Sequence, residues 1–112
     1  MVVDDEPDLR DSIAEILEMK GYAVATAANG REALDLAVSG PPSIILLDLG
    51  MPVMSGWEVI SAMRQDERLR SVPVIVISAE AHPPADVPVI RKPFHPEHLL
   101  DVMHRVLKEN CP

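Results

Sequence analysis

The sequence predicts an α/β protein, a single doubly wound layer built on a five-stranded parallel sheet. Three observations predict it. Short apolar runs rich in β-branched residues alternate with amphipathic helical stretches along the chain. The two strongest runs, Ile44-Ile45-Leu46-Leu47 and Val74-Ile75-Val76-Ile77, have no polar face, which is how strands covered on both sides read. The chain has 112 residues, 47% hydrophobic and 25% charged. A chain of that size buries about 65% of its unfolded surface, enough for one core, so residues 1–112 are expected to form one domain.

The elements follow in order. Val2-Val3 is a short first strand that stops at Asp4-Asp5. Leu9, Ile13, Ile16 and Leu17 then mark one face of a helix, with Pro7 suited to its first turn and Lys20-Gly21 to its end. Glu6, four residues before Arg10, is placed for a surface ion pair. Tyr22 to Ala27 alternates as a second strand. Asn29-Gly30 punctuates, and Ala33, Leu34, Ala37 and Val38 mark a second helix ending at Ser39-Gly40. The third strand stops at Asp48, and Ser55-Gly56-Trp57-Glu58 is a capping box that opens a third helix through Val59, Ile60 and Met63. The fourth strand ends at Ser78 and the fifth, Val87 to Arg91, at Lys92-Pro93. Pro96 opens a last helix with Leu99, Leu100, Met103, Val106 and Leu107 on one stripe.

Composition narrows the function. Eighteen acidic against ten basic residues give a formal charge of −8, and the basic residues are scattered apart from Arg64, Arg68 and Arg70, which read as a solvated helix end. Direct nucleic-acid binding is therefore not expected. No apolar run approaches the ~20 residues of a membrane helix, and the acidic N-terminus is unlike a signal peptide. One cysteine, Cys111, makes no internal disulfide; a cytoplasmic protein is the expectation. His82, His95, His98 and His104 form no ligand set, and Pro83-Pro84 reads as part of a stiff loop.

Four strands end at a polar group: Asp4-Asp5, Asp48, Ser78 and Lys92. In an open parallel sheet all carboxyl ends share one edge, where ligands bind, so these residues should converge. Three carboxylates together repel one another unless a proton or cation is present. Hard oxygen donors with room for water suit Mg²⁺. Three aspartates at −3, Mg²⁺ at +2 and Lys92 at +1 leave a near-neutral site able to accept a phosphoryl group. Asp48, alone at the end of the most buried strand, is the better nucleophile, and Asp4-Asp5 the better metal holder.

Val2-Val3-Asp4-Asp5-Glu6, Leu46-Leu47-Asp48 with Met51-Pro52 and Gly56, Val76-Ile77-Ser78-Ala79 and Lys92-Pro93-Phe94 together resemble the receiver domain of two-component response regulators of the chemotaxis-regulator-like kind. The resemblance covers nearly the whole chain and implies the flavodoxin-like strand order 2-1-3-4-5. It implies that Asp48 takes a phosphoryl group from a sensor histidine kinase or phosphotransfer protein, the chain catalysing only its own phosphorylation and dephosphorylation. Asp5 and Asp48 would ligate Mg²⁺ directly, Asp4 largely through water, and Gly50 through its carbonyl. Lys92 would pair with the phosphoryl oxygens, Ser78 would hydrogen-bond them, and Ala79 would leave them space.

Three features depart from that family. The first strand begins about four residues late. Only thirteen residues, Ala79 to Arg91, separate Ser78 from Lys92. A crossover helix needs a dozen or more in addition to the strand, and Pro83-Pro84 opposes one, so the helix between the fourth and fifth strands is expected to be shortened or absent. Val89 stands where an aromatic residue is frequent. These changes predict a bare apolar face near Val74, Val76 and Val89, open to a partner or a homodimer. They also support an alternative: a degenerate receiver that docks or dimerises without phosphorylation. A phosphatase of the haloacid-dehalogenase type would need an aspartate at Gly50 and a cap domain, and is disfavoured.

Overall fold

A computed structural model describes residues 1–50, 54–78, 87–92 and 94–109. The chain order is β1 (Val2–Val3), α1 (Pro7–Met19), β2 (Thr26–Ala27), α2 (Gly30–Ser39), β3 (Ile45–Asp48), α3 (Gly56–Arg64), β4 (Val74–Ser78), β5 (Val89–Arg91) and α4 (Pro96–Glu109). All strand pairs are parallel and the sheet order is β2-β1-β3-β4-β5.

Strand alternation sorts the core into two halves. Val3, Ile45, Leu47 and Val76 point to one side and pack under α2 and α3, against Ala33, Ala37, Val59, Ile60 and Met63. Val2, Leu46, Ile75, Ile77 and Ile90 point to the other, under Ile13 and Leu17 of α1 and Leu99, Met103 and Val106 of α4. β3 and β4 are therefore apolar up to their last residues, Asp48 and Ser78, because both of their faces are covered.

Local signals set the helix ends. Pro7 occupies the first turn of α1, and Gly21, at φ +92, takes the left-handed conformation that lets the chain leave it. Asn29 caps α2 by accepting from the Glu32 N–H at 2.9 Å. Ser55 and Glu58 form the expected reciprocal capping box on α3.

Two strands are shorter than the sequence predicts. β2 is confined to Thr26–Ala27 because β1 offers only Val2 and Val3 to pair with. β5 starts at Val89 because Pro88 has no N–H to extend the ladder; its carbonyl accepts from Val76 instead, at 2.9 Å. Arg10 also differs: its guanidinium donates to the Asp4 carbonyl at 3.1 Å and lies 4.0 Å from Asp11, rather than pairing with Glu6. The shortened crossover helix was expected within residues 79–86, which lie outside the described residues. The face predicted to be bare is largely closed: Val76 is fully buried, with Val74 and Val89 half-buried beside it.

Candidate functional site

Register brings the predicted residues to one edge. β1 and β3 pair with Val3 opposite Leu47, so Asp4 and Asp48 leave adjacent strands at the same level. Asp5 is one residue further along. Asp48 is level with Ile77 of β4, and Ser78 pairs with Arg91, which sets Lys92 just past the end of β5. Lys92 N donates to the Ser78 carbonyl at 3.1 Å, closing that corner.

Asp4 is buried and all its polar groups are used. Its N–H donates to Ala27 O at 3.2 Å, its carbonyl accepts from Arg10, Oδ1 accepts from Glu6 N at 2.9 Å and Oδ2 accepts from Lys92 Nζ at 3.3 Å. Lys92 Nζ also lies 3.6 Å from Asp48 Oδ1, spanning two strands. Asp5, by contrast, is exposed. The Asp48 carboxyl is held above the usual carboxylate range, by burial first and then by the charge of Asp4; Lys92 and a backbone hydrogen bond from Gly50 act in the opposite direction. For Lys92, burial works against the ammonium, but Asp48 and Asp4 outweigh it and raise its pKa.

One carboxylate oxygen from each of Asp4, Asp5 and Asp48 can be chosen so that all lie within 4.8 Å of one another. The donors are hard oxygens, and exposed Asp5 leaves the cluster open to water, which fits Mg²⁺ better than a softer metal. Lys92 offsets only one of the three charges, leaving −3 + 1 = −2 for a divalent cation to neutralise. Gly50 lies at this edge, its N–H on the Asp48 carboxylate. Ser78 is buried at the end of β4. Ala79, Met51, Pro52 and Pro93 lie outside the described residues.

Gly56 has a structural reason to stand here. A Cβ on it would fall 2.5 Å from the Asp48 carbonyl oxygen and 2.8 Å from Leu49 Cα, while its N–H donates to Leu49 O at 3.0 Å. The start of α3 thus packs directly on the backbone that carries Asp48.

Sequence reasoning missed two features of this edge. One is Arg10, assigned to a surface pair within its own helix. The other is an apolar groove of about 560 Å³ beside Lys92, lined by Leu9, Ile13, Ile16, Phe94 and Pro96. Leu9 and Ile16 lie on the helix face that their spacing marks, yet each is only half-buried.

A family model described as the response regulator receiver domain matches residues 1–104. The phosphate regulon transcriptional regulatory protein PhoB of Pseudomonas aeruginosa is 32% identical over 120 residues, covering 100% of this chain and 52% of the relative. The transcriptional regulatory protein KdpE of Mycobacterium tuberculosis is 33% identical over 118 residues, covering 98% and 51%. The chain thus spans about half the length of these curated relatives. Among solved structures, Vibrio cholerae chemotaxis protein CheY4 superposes with a TM-score of 0.86 at 34% identity, covering 94% of both chains. Response regulator TrrA of Thermotoga maritima, in complex with Mg²⁺-BeF, gives 0.83 at 32% identity, covering 94% of this chain and 95% of that one.

Proposed function

From the premise that this chain belongs to the response regulator receiver domain family, we propose that residues 1–112 form one domain that accepts a phosphoryl group on Asp48. The observation that carries the reading is the cluster itself: carboxylate oxygens of Asp4, Asp5 and Asp48 within 4.8 Å, with Lys92 reaching both Asp4 and Asp48. Asp5 and Asp48 would hold Mg²⁺ directly, with the Gly50 carbonyl as a third protein ligand and Asp4 acting through water. The metal supplies charge neutralisation for the incoming phosphoryl oxygens. The solved relative that holds Mg²⁺ with BeF supports this assignment.

The residues divide the work. An Asp48 oxygen attacks phosphorus, forming an acyl phosphate; the donor's N–P bond breaks and its electron pair returns to the donor imidazole nitrogen. Lys92 then gives its charge to the phosphoryl oxygens, and Ser78 donates its hydroxyl hydrogen to one of them. The donor is a sensor histidine kinase or phosphotransfer protein. The groove of Leu9, Ile13, Ile16, Phe94 and Pro96 offers such a partner an apolar seat beside Lys92. The chain catalyses only its own phosphorylation and dephosphorylation, acting in the cytoplasm. No described helix is long and apolar enough to cross a membrane.

The test is incubation with Mg²⁺ and a small phosphodonor, read by intact mass. A gain of one phosphoryl group, absent without Mg²⁺ and absent in Asp48→Asn, is expected. No gain, with small donors or with kinases, would instead identify a docking module that works without phosphorylation.

A further inference from the structure

Arg10 makes a contact that its own helix does not explain, and we propose that it is the positioning residue for the β1–α1 turn that presents Asp5. The inference rests on the reading of Asp5 and Asp48 as metal-holding carboxylates. Asp5 is exposed, and among the described residues no hydrogen bond to its carboxylate fixes it in place; its position is set by the backbone at Asp4 and Glu6. That backbone is held at few points. Asp4 N donates to Ala27 O, and Glu6 N donates to Asp4 Oδ1. The Asp4 carbonyl lies beyond the last paired residue of β1 and is taken by Arg10 Nη1 at 3.1 Å.

The side chain is built for that task. Arg10 belongs to the first turns of α1, where its own N–H donates to Glu6 O at 3.0 Å, so one residue grips both ends of the Asp4–Glu6 turn. Its side chain is 19% exposed, and Asp11 lies 4.0 Å from Nε, on the edge of the guanidinium that Asp4 does not use. A charged donor on a backbone carbonyl is among the stronger neutral-acceptor hydrogen bonds, and its loss frees the turn as a unit.

Electrostatics alone makes the opposite prediction, which is what makes the inference testable. A cation near the aspartates repels Mg²⁺, so a mere surface charge would weaken metal binding, and its removal would strengthen it. A positioning residue does the reverse. The experiment compares Arg10→Met, which keeps the apolar stem, with Arg10→Lys, which keeps a charged donor. Two quantities are read: amide hydrogen exchange at Glu6 in the metal-free protein, and the Mg²⁺ dissociation constant by calorimetry. For Arg10→Met, exchange at Glu6 should quicken and the dissociation constant should rise, each by about fivefold to tenfold. Exchange at Ile75, in the middle of the sheet, should keep its wild-type rate, and Arg10→Lys should recover most of both effects. Unchanged exchange at Glu6, or tighter Mg²⁺ binding in Arg10→Met, overturns the inference. A wild-type chain that binds no Mg²⁺ would sink the metal reading, while exchange at Glu6 still decides whether Arg10 holds the turn.

Discussion

Arg68 meets Asp66 with Nη2 on Oδ2 at 3.0 Å, Nε on Oδ1 at 3.2 Å and its own backbone N–H on Oδ1 at 2.8 Å. Lys92 meets Asp4 at 3.3 Å and Asp48 at 3.6 Å. By distance and alignment the arginine pair is the better bond. Yet its side chains are 61% and 25% exposed, and its partners are two residues apart in the turn after α3. It ties down one turn and is screened by water. The lysine contact joins residues 88 positions apart, with Lys92, Asp4 and Asp48 side chains 23%, 4% and 11% exposed. What a charge contact does here is set by what it connects and how much water it excludes, and length is a poor guide to either.

The lysine contact also differs in its balance. Arg68 and Asp66 cancel. Lys92 faces two buried or nearly buried carboxylates, with Asp5 close by, so this edge is deliberately short of positive charge. The largest effect should therefore come from Lys92→Met. Removing the ammonium that touches both carboxylates leaves Asp4 and Asp48 facing each other with little water, and should lower stability by about 2–3 kcal/mol in urea unfolding. Saturating Mg²⁺ should return a large part of the loss, because the second cation takes over the same carboxylates. A loss no greater than that from Arg68→Ala would break the contrast.

Next in size is Asp48→Asn, whose sign is opposite. Burial first, and Asp4 second, raise the Asp48 pKa above its unfolded value. The folded protein thus favours the protonated acid. That preference is fully present below the ordinary carboxylate range and is lost as pH rises through the raised value, so at neutral pH the ionised side chain weakens the fold. Replacing it by a neutral amide should stabilise the metal-free protein by about 1 kcal/mol near neutrality, some of the effect being lost to the water that still reaches the site. Thermal midpoints of both proteins followed with pH should converge as the pH falls toward the carboxylate range. A variant less stable than wild type at neutral pH would show that Lys92 compensates Asp48 fully.

Much of this edge was legible in the sequence because topology does the gathering. β3 and β4 declare themselves by lacking a polar face, and parallel strands must end together, so Asp48, Ser78, Lys92 and Asp4-Asp5 could be brought to one place without coordinates. Lengths were less legible. How far β2 extends depends on β1, and where β5 begins depends on the missing N–H of Pro88, so Tyr22 to Ala25 and Val87 read as strand from their own side chains alone. Adjacent Asp4 and Asp5 differ in burial because Asp4, just past β1, is still tied to β2 through its N–H on Ala27 O, whereas Asp5 is one residue further out, a distinction no composition carries. Arg10 was misread because helix-surface spacing looks only along the helix, whereas its partner is a carbonyl of the preceding strand. Of the face expected to be bare, Val76 is buried while Val74 and Val89 are half-buried; counting crossover residues says nothing of how far neighbouring elements cover each position.

The smallest effect belongs to Arg68→Ala, and it tests the other half of the contrast. The contact keeps Asp66 readily ionised, through the side-chain and backbone hydrogen bonds from Arg68, and raises the arginine in turn. Asp66 is nevertheless already supported by the chain around it: its carbonyl accepts from Leu69 at 3.0 Å and from Arg70 at 2.9 Å, and the Arg68 N–H bond to Oδ1 survives the substitution because it belongs to the backbone. Removing the guanidinium therefore leaves the turn closed by the same main-chain bonds and hands the Asp66 carboxylate, its former acceptor, back to water. The thermal midpoint should move by no more than about 1 °C, with no dependence on Mg²⁺. A larger shift that vanishes at high salt would mean that this solvent-facing pair is coupled to the other basic side chains of its neighbourhood, Arg64 and Arg70, and that exposure alone does not separate the two contacts.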